Sequence, residues 1–215
     1  MRASLGGCVR RITGQADVDA GTAWLVAQEP RFAEVLQATG SLPLRLKPDG
    51  FIAILGAIVS QQISVASASA IRARVAAAGL TDPGAVCATG EAGLHACGLS
   101  RPKIRYVLAI AKSEIDWPGL RDRDDAFVRA ALMALPGVGP WTAEIYMLSS
   151  LGRPDAFPAG DLALQEAAKA LFDLDIRPSE KMLARMAAAW CPWRAVAARA
   201  LWAWYRHIKG REGAG

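Results

Sequence analysis

The sequence predicts an all-α fold, and three observations predict it. No stretch shows sustained alternation of apolar and polar residues, the pattern of a half-buried strand. Several stretches instead repeat apolar residues at helical spacing; Ile104, Val107, Leu108, Ala111 and Ile115 lie 3, 1, 3 and 4 residues apart. Glycines, prolines and short polar residues fall between these stretches, where helices start and stop.

Taken in order, residues 1 to 16 read as loose and basic, with Arg2, Arg10 and Arg11 and no acid. Asp17 to Val26 and Glu29 to Ala38 read as two helices broken at Pro30, with Trp24, Leu25, Phe32, Val35 and Leu36 on the buried side. Leu42 to Asp49 carries two prolines and reads as a connector. Phe51 to Val59 is apolar all round, as a core helix is. Ser60-Gln61-Gln62 interrupts it, and Ser64 to Ala78 follows as a helix ended by Gly79. Pro83 to Cys97 gives one or two short helices. Ser100 and Pro102 open another, closed by Trp117-Pro118. Asp124 and Asp125 cap the next helix, with Phe127, Ala131 and Leu132 expected inward. Trp141, Ile145 and Leu148 continue the pattern, and Leu164, Ala168, Leu171 and Phe172 form a later stripe. Ser179 caps one more helix, and Trp193 to Ile208 is the last.

Composition narrows the class. At 215 residues and 53% hydrophobic, the chain can bury a sizeable core as one domain or two small ones. The longest apolar run, Phe51 to Val59, is too short to span a bilayer, and the first residues hold no apolar signal core. The expectation is a soluble, cytoplasmic protein without a membrane partner. A net charge of +5 favours polyanions. Cys8, Cys87, Cys97 and Cys191 match no zinc or iron–sulfur spacing, so four reduced thiols and no bound metal are expected. His95 and His207 have no ligand-like neighbours.

The organising stretch runs from Leu135 to Gln165. Pro136 stops one helix, Gly137 and Gly139 supply backbone freedom, and Pro140 or Trp141 begins the next. Such a tight hairpin leaves backbone N–H groups at a helix N-terminus, which is an anion site. About twenty residues on, Phe157-Pro-Ala-Gly ends in a single carboxylate, Asp161, that opens another helix. Taken alone, Asp161 reads as an N-cap, worth about 1 kcal/mol.

Together these features resemble the helix–hairpin–helix DNA glycosylases. Within that superfamily the chain is most similar to the bacterial 3-methyladenine DNA glycosylase II family of alkylation repair. The residues that carry the resemblance are Ser60-Gln-Gln-Ile-Ser64, Gly98-Leu-Ser-Arg-Pro-Lys103, Leu135-Pro-Gly-Val-Gly-Pro-Trp-Thr142, Phe157-Pro-Ala-Gly-Asp161 and Pro192-Trp-Arg194. The resemblance implies two helical lobes with the active site in the cleft between them. One lobe would comprise residues 1–48 and 136–215, with the hairpin and Asp161, and the other residues 49–135. It implies a bacterial, nucleoid-associated monomer that acts on double-stranded DNA carrying a damaged base. The activity implied is monofunctional: the enzyme flips and hydrolytically excises an alkylated base, leaving an abasic site.

By the same resemblance Asp161 is the catalytic aspartate. Breaking an N-glycosidic bond builds positive charge on the sugar, which a fixed carboxylate stabilises, and the same group can orient the attacking water. Trp141 stands where strand-cutting relatives hold a Schiff-base lysine. Trp141, Phe157, Trp190 and Trp193 would line an aromatic base pocket suited to a cationic base, although filling the core is an equally good reading of each tryptophan. Gln61, Gln62 and Ile63 supply the turn that fills the gap left by the flipped base, with Gln62 at the inserting position where relatives use leucine. Gly137, Val138 and Gly139 grip the DNA backbone through their amides, and Lys103 with Arg101 looks like a second phosphate contact. No cofactor is required, but the family's hairpin can hold a monovalent cation through carbonyls in the Gly137 and Gly139 region. Residues 177 to 211 hold eight Lys or Arg against one acid, Glu180, a supplementary basic face. The rival readings are a non-catalytic helix–hairpin–helix DNA-binding module, which needs neither the carboxylate nor the pocket, and a glycosylase for oxidised or mismatched bases.

Overall fold

The computed structural model of the chain describes residues 10–210. Arg2, Cys8 and Arg211 of the segments discussed above lie outside the described residues. The described chain is helical, with no strand. Its helices are α1 (Gln15–Gln28), α2 (Arg31–Thr39), α3 (Phe51–Ser60), α4 (Val65–Ala77), α5 (Pro83–Ala96), α6 (Arg101–Ala111), α7 (Asp125–Met133), α8 (Pro140–Ser149), α9 (Leu162–Leu171), α10 (Glu180–Ala187) and α11 (Arg194–Lys209). Among the described residues no helix is long and apolar enough to cross a membrane.

The chain forms two compact units. The first comprises Lys47–Tyr146, and the second Arg10–Leu46 with residues 147–210. In the first unit α3 packs on α4 and α6, and α6 packs on α5. Phe51, Ile54, Leu55, Ile58 and Val59 bury most of α3, as its uniformly apolar sequence requires. The helix starts follow local chemistry. The side chains of Ser64, Asp82 and Asp124 each accept a hydrogen bond from the backbone N–H three residues on. Gly90, at φ +61, kinks α5 into two short helices.

In the second unit α11 lies against α1, α2 and α9. Gly21 makes the α1–α11 approach possible, because a Cβ there would sit 2.6 Å from Cε3 of Trp193. Phe32, Phe157 and Phe172 surround Trp190, with ring centroids 5.4, 5.7 and 5.8 Å away. Arg199 is buried in α11, where it donates from Nε and Nη2 to Leu44 O (3.2 and 3.1 Å) and fastens the 40–46 connector. Desolvation and the nearby Arg45 lower its pKa to about 10.

Three expectations change. The boundary expected at 135/136 falls after Tyr146, so the hairpin belongs to the first unit. The reason lies in its ties. Gln61 Nε2 donates to Gly137 O (3.0 Å) and Thr142 Oγ1 (3.2 Å), and Gly50 N donates to the Tyr146 hydroxyl (2.8 Å). Phe127 was expected inward, but it is exposed at the first turn of α7 with the Arg123 guanidinium over its ring; Val128 and Leu132 are the buried residues there. On α8 the buried residues are Thr142, Ala143, Tyr146, Met147 and, as expected, Leu148, while Trp141 turns outward at 39% exposure. Burial pushes the Tyr146 hydroxyl up to about 12.

Candidate active site and nucleic-acid interface

The hairpin is built on two glycines that do different things. Gly137 has φ +78, and a Cβ there would lie 2.4 Å from Cδ2 of Tyr106. The fold therefore demands glycine twice over, for the backbone angle and for the ring packed against it. Gly139 has no positive φ, and a Cβ there would meet nothing within 4 Å. The fold itself makes no demand for glycine at 139. What the missing side chain leaves clear is the approach to the amides that precede α8. Val138 is buried and its N–H donates to Leu135 O at 3.1 Å, so its amide is occupied by the turn. The Gly137 and Gly139 N–H groups have no acceptor among the described residues. They sit before the N-terminus of α8, the positive end of its dipole.

The carbonyls of this turn are engaged differently. Gly137 O accepts from Gln61 Nε2, and Gly139 O accepts from Ala143 N at 3.0 Å. Each N–H takes one of the two lone pairs of its carbonyl oxygen, and no step below uses the monovalent cation expected at the hairpin.

The turn between α3 and α4 carries the expected wedge. Gln62 is exposed and left-handed, at φ +55, a conformation uncommon for a residue with a side chain. Ile63 beside it is also exposed. Gln61 points the other way, into its two bonds with Gly137 and Thr142. Lys103, expected to grip a phosphate, is half-buried, and its ammonium donates to Val59 O at 2.7 Å and Gln61 O at 2.8 Å. Desolvation lowers its pKa. Arg101 is exposed at the start of α6.

In the second unit, the segment that delivers Asp161 is fastened along its length. Gly152, at φ +67, lies so close to Ile12 that a Cβ would fall 2.3 Å from Ile12 O, and Ile12 N donates to Gly152 O at 2.7 Å. Ala195 N donates to Pro154 O (2.8 Å), and Asp155 pairs bidentately with Arg194, its Oδ1 2.7 Å from Nε. The buried Gln165 side chain donates to Ala159 O at 3.0 Å, and Asp161 N donates to Pro158 O at 2.9 Å. Asp161 then caps α9. Its Oδ1 accepts from Ala163 N (2.9 Å), Leu164 N (3.1 Å) and Trp202 Nε1 (3.3 Å). Three donors on one oxygen fix the carboxylate plane.

Of the four expected pocket aromatics, Trp141 alone is exposed. Phe157 is 8% exposed and packs edge-on to Trp190, which is itself enclosed by the Phe32 and Phe172 rings. Trp193 is buried, with Gly21 on one side and the Arg10 guanidinium 3.9 Å from its ring centroid. Trp190 and Trp193 are thus committed to the core of the second unit, because large rings at helix junctions bury the most area there. The sequence reading missed Trp202. It lies in α11 three residues after Arg199, on the same side of the helix, a position that does not single it out. Asp155 and Glu144 are accounted for by Arg194 and Arg129. Among the described residues Cys87, Cys97 and Cys191 are free thiols, and His207 stacks on Trp204.

Residues 55–193 match the sequence model described as the HhH-GPD superfamily base excision DNA repair protein. A crystal structure of a DNA-3-methyladenine glycosidase from Bacillus halodurans superposes with a TM-score of 0.78 at 30% identity, covering 93% of this chain and 92% of that one. The Schizosaccharomyces pombe 3-methyladenine DNA glycosylase in complex with abasic DNA shares the fold, with a TM-score of 0.75 at 24% identity over 85% of this chain and 95% of that one. A probable bifunctional transcriptional activator/DNA repair enzyme of Mycobacterium tuberculosis is 48% identical over 79 residues; the match covers 37% of this chain and 15% of that protein.

Proposed function

The chain belongs to the HhH-GPD superfamily of base excision DNA repair proteins, and from that premise we propose that it is a monofunctional DNA glycosylase that excises alkylated bases from double-stranded DNA. The observation that carries the proposal is Asp161: one carboxylate at the end of a segment fastened throughout, its Oδ1 held by two backbone amides and an indole.

Base loss leaves positive charge on the sugar ring as the bond to C1′ lengthens. A carboxylate whose orientation is set beforehand stabilises that charge without reorganising. Asp161 does so and directs the water that adds to C1′, while the base departs with the electron pair of the glycosidic bond. A base already alkylated and cationic leaves as a neutral molecule, so little acid assistance is needed. Trp141 offers an exposed aromatic face to such a cation. The N–H groups of Gly137 and Gly139 take a DNA phosphate, and Gln62 enters the gap left by the extruded base. A non-catalytic DNA-binding module would have no use for the fastened segment ending in Asp161.

Trp141 also sets the product. An indole nitrogen is a donor without nucleophilic character. Lys169 lies eight residues after Asp161 on α9, about 12 Å along a helix axis. The test is a release assay on duplexes each carrying one of 3-methyladenine, 1-methyladenine, 3-methylcytosine, 7-methylguanine, 8-oxoguanine or no lesion, with borohydride in a parallel set. The expected result is release of alkylated bases, an intact strand until alkali is added, and no trapped protein–DNA adduct. Release confined to 8-oxoguanine, or a borohydride-trapped complex, would refute this reading.

A further inference from the structure

Lys103 and Gln61 form a connected set that the proposed chemistry does not use. Lys103 rises from the first turn of α6 and places its ammonium on Val59 O and Gln61 O, at the C-terminal end of α3 and in the turn beyond it. Gln61 then donates from its side chain to Gly137 O and Thr142 Oγ1 on the hairpin and α8. Between these two anchored points the next residue, Gln62, is exposed at φ +55. Orphan carbonyls at a helix C-terminus are ordinarily satisfied by water or by a glycine in the left-handed conformation that follows. Here a glutamine takes that conformation, and a lysine from another helix satisfies the carbonyls. A non-glycine residue at positive φ persists only where its surroundings over-determine it.

We infer that Lys103 and Gln61 are positioning residues: they hold Gln62 in the left-handed turn from which it enters the base stack, and they tie that turn to the glycine hairpin so that wedge and phosphate grip move as one body. The inference rests on the reading of Gln62 as the wedge. It replaces the phosphate contact expected of Lys103, because two of the three donors of this half-buried ammonium are already spent on carbonyls inside the protein. Loss of the ammonium frees the turn, and Gln62 then falls back to a conformation pointing elsewhere. Extrusion becomes harder while the chemistry at Asp161 is untouched.

The experiment compares wild type with Lys103→Met, which keeps the aliphatic stem and loses the donors, with Lys103→Arg, which keeps donors, and with Gln61→Met, which cuts the tie to the hairpin. The substrates are duplexes with 7-methylguanine opposite cytosine or opposite an abasic analogue, each with 2-aminopurine beside the lesion. The 2-aminopurine fluorescence reads unstacking independently of bond cleavage. Lys103→Met and Gln61→Met are expected to lower both unstacking and release about tenfold when the lesion is paired, the scale of one or two hydrogen bonds to a charged or tightly held group. Opposite the abasic analogue, where extrusion costs little, the loss shrinks to about twofold. Lys103→Arg restores most of the unstacking. The salt dependence of binding to undamaged duplex stays at the wild-type slope in every variant, whereas a lost phosphate contact would flatten it by about one. If Lys103→Met fails to fold, Gln61→Met carries the same comparison with the lysine in place. Equal losses on the two duplexes, or a flattened salt slope, would overturn the inference. Wild-type protein that unstacks the neighbour yet releases no base would refute the glycosylase reading alone. Wild-type protein that does neither would refute both.

Discussion

The hairpin of the first unit and the segment before Asp161 in the second are both short, glycine-containing and non-helical, yet they are built to opposite ends. From Gly152 to Asp161 nearly every turn is bonded to a neighbouring element, through Ile12, Arg194, Ala195 and Gln165. The hairpin is fastened on its inner side alone, by Tyr106 against Gly137 and by Gln61 on the Gly137 carbonyl. Its outer side, at Gly139, is open, and two of its amides have no acceptor among the described residues. One segment holds a charge in a fixed place, and the other leaves donors bare for a ligand. The difference teaches that a glycine's neighbours, more than its presence, tell a structural position from a binding one.

The two hairpin glycines sharpen that comparison most. Gly137→Ala must adopt a positive φ and drive a methyl group into the Tyr106 ring, together about 3 kcal/mol, a loss seen as a large fall in the denaturant midpoint. Gly139→Ala should keep the wild-type midpoint and lose about tenfold in affinity for duplex DNA, one charge-assisted hydrogen bond to phosphate. If both alanine variants melt alike, the division between an inner and an outer glycine is wrong.

On the Asp161 side, Trp202→Phe removes the indole donor at 3.3 Å and preserves most of the ring packing. Turnover should fall about tenfold, the worth of a hydrogen bond to a carboxylate, with DNA affinity unchanged. An unchanged turnover would mean that the two backbone amides suffice to hold the carboxylate.

The smallest effect is expected at the start of α1, which carries none of the residues assigned to DNA contact or to the chemistry. The Asp17 carboxyl accepts from Thr13 N (2.8 Å) and Gly14 N (3.0 Å), which holds its pKa below 3.8. A carboxyl depressed in the folded state adds stability above its unfolded value, and that stability fades as pH falls through the folded one. Asp17→Asn should therefore melt slightly lower than wild type at neutral pH and converge with it in strong acid, with base release unaffected at pH 7.

Much of this was legible in the sequence for physical reasons. Helix starts were readable at Ser64, Asp124 and Ser179 because capping is local. The hairpin was readable because glycine and proline act on the backbone locally, whereas Asp161 by itself reads as an N-cap and its catalytic role comes from the family resemblance. What was not legible depended on which neighbour a side chain meets. By the resemblance Lys103 reads as a phosphate contact; only the folded chain brings two carbonyls to its ammonium. Trp190 and Trp193 read as well for core as for pocket, and only the packing of α1, α2 and α11 shows them enclosed. Phe127 followed an apolar pattern that the first turn of α7 does not obey. Trp202 carried no local mark at all.

The central claim is that Asp161 supplies the chemistry and does more than cap α9. Its most direct test is Asp161→Asn, which keeps the side-chain oxygen that accepts from Ala163 and Leu164 and removes the charge. Single-turnover release from a 7-methylguanine duplex should fall about a thousandfold, the scale of removing one electrostatic contributor to a transition state. The affinity for the same duplex should stay within about twofold, because the lost interaction is made mainly in the transition state. Release at the wild-type rate by a folded Asp161→Asn protein would leave Asp161 as a helix cap and contradict the account.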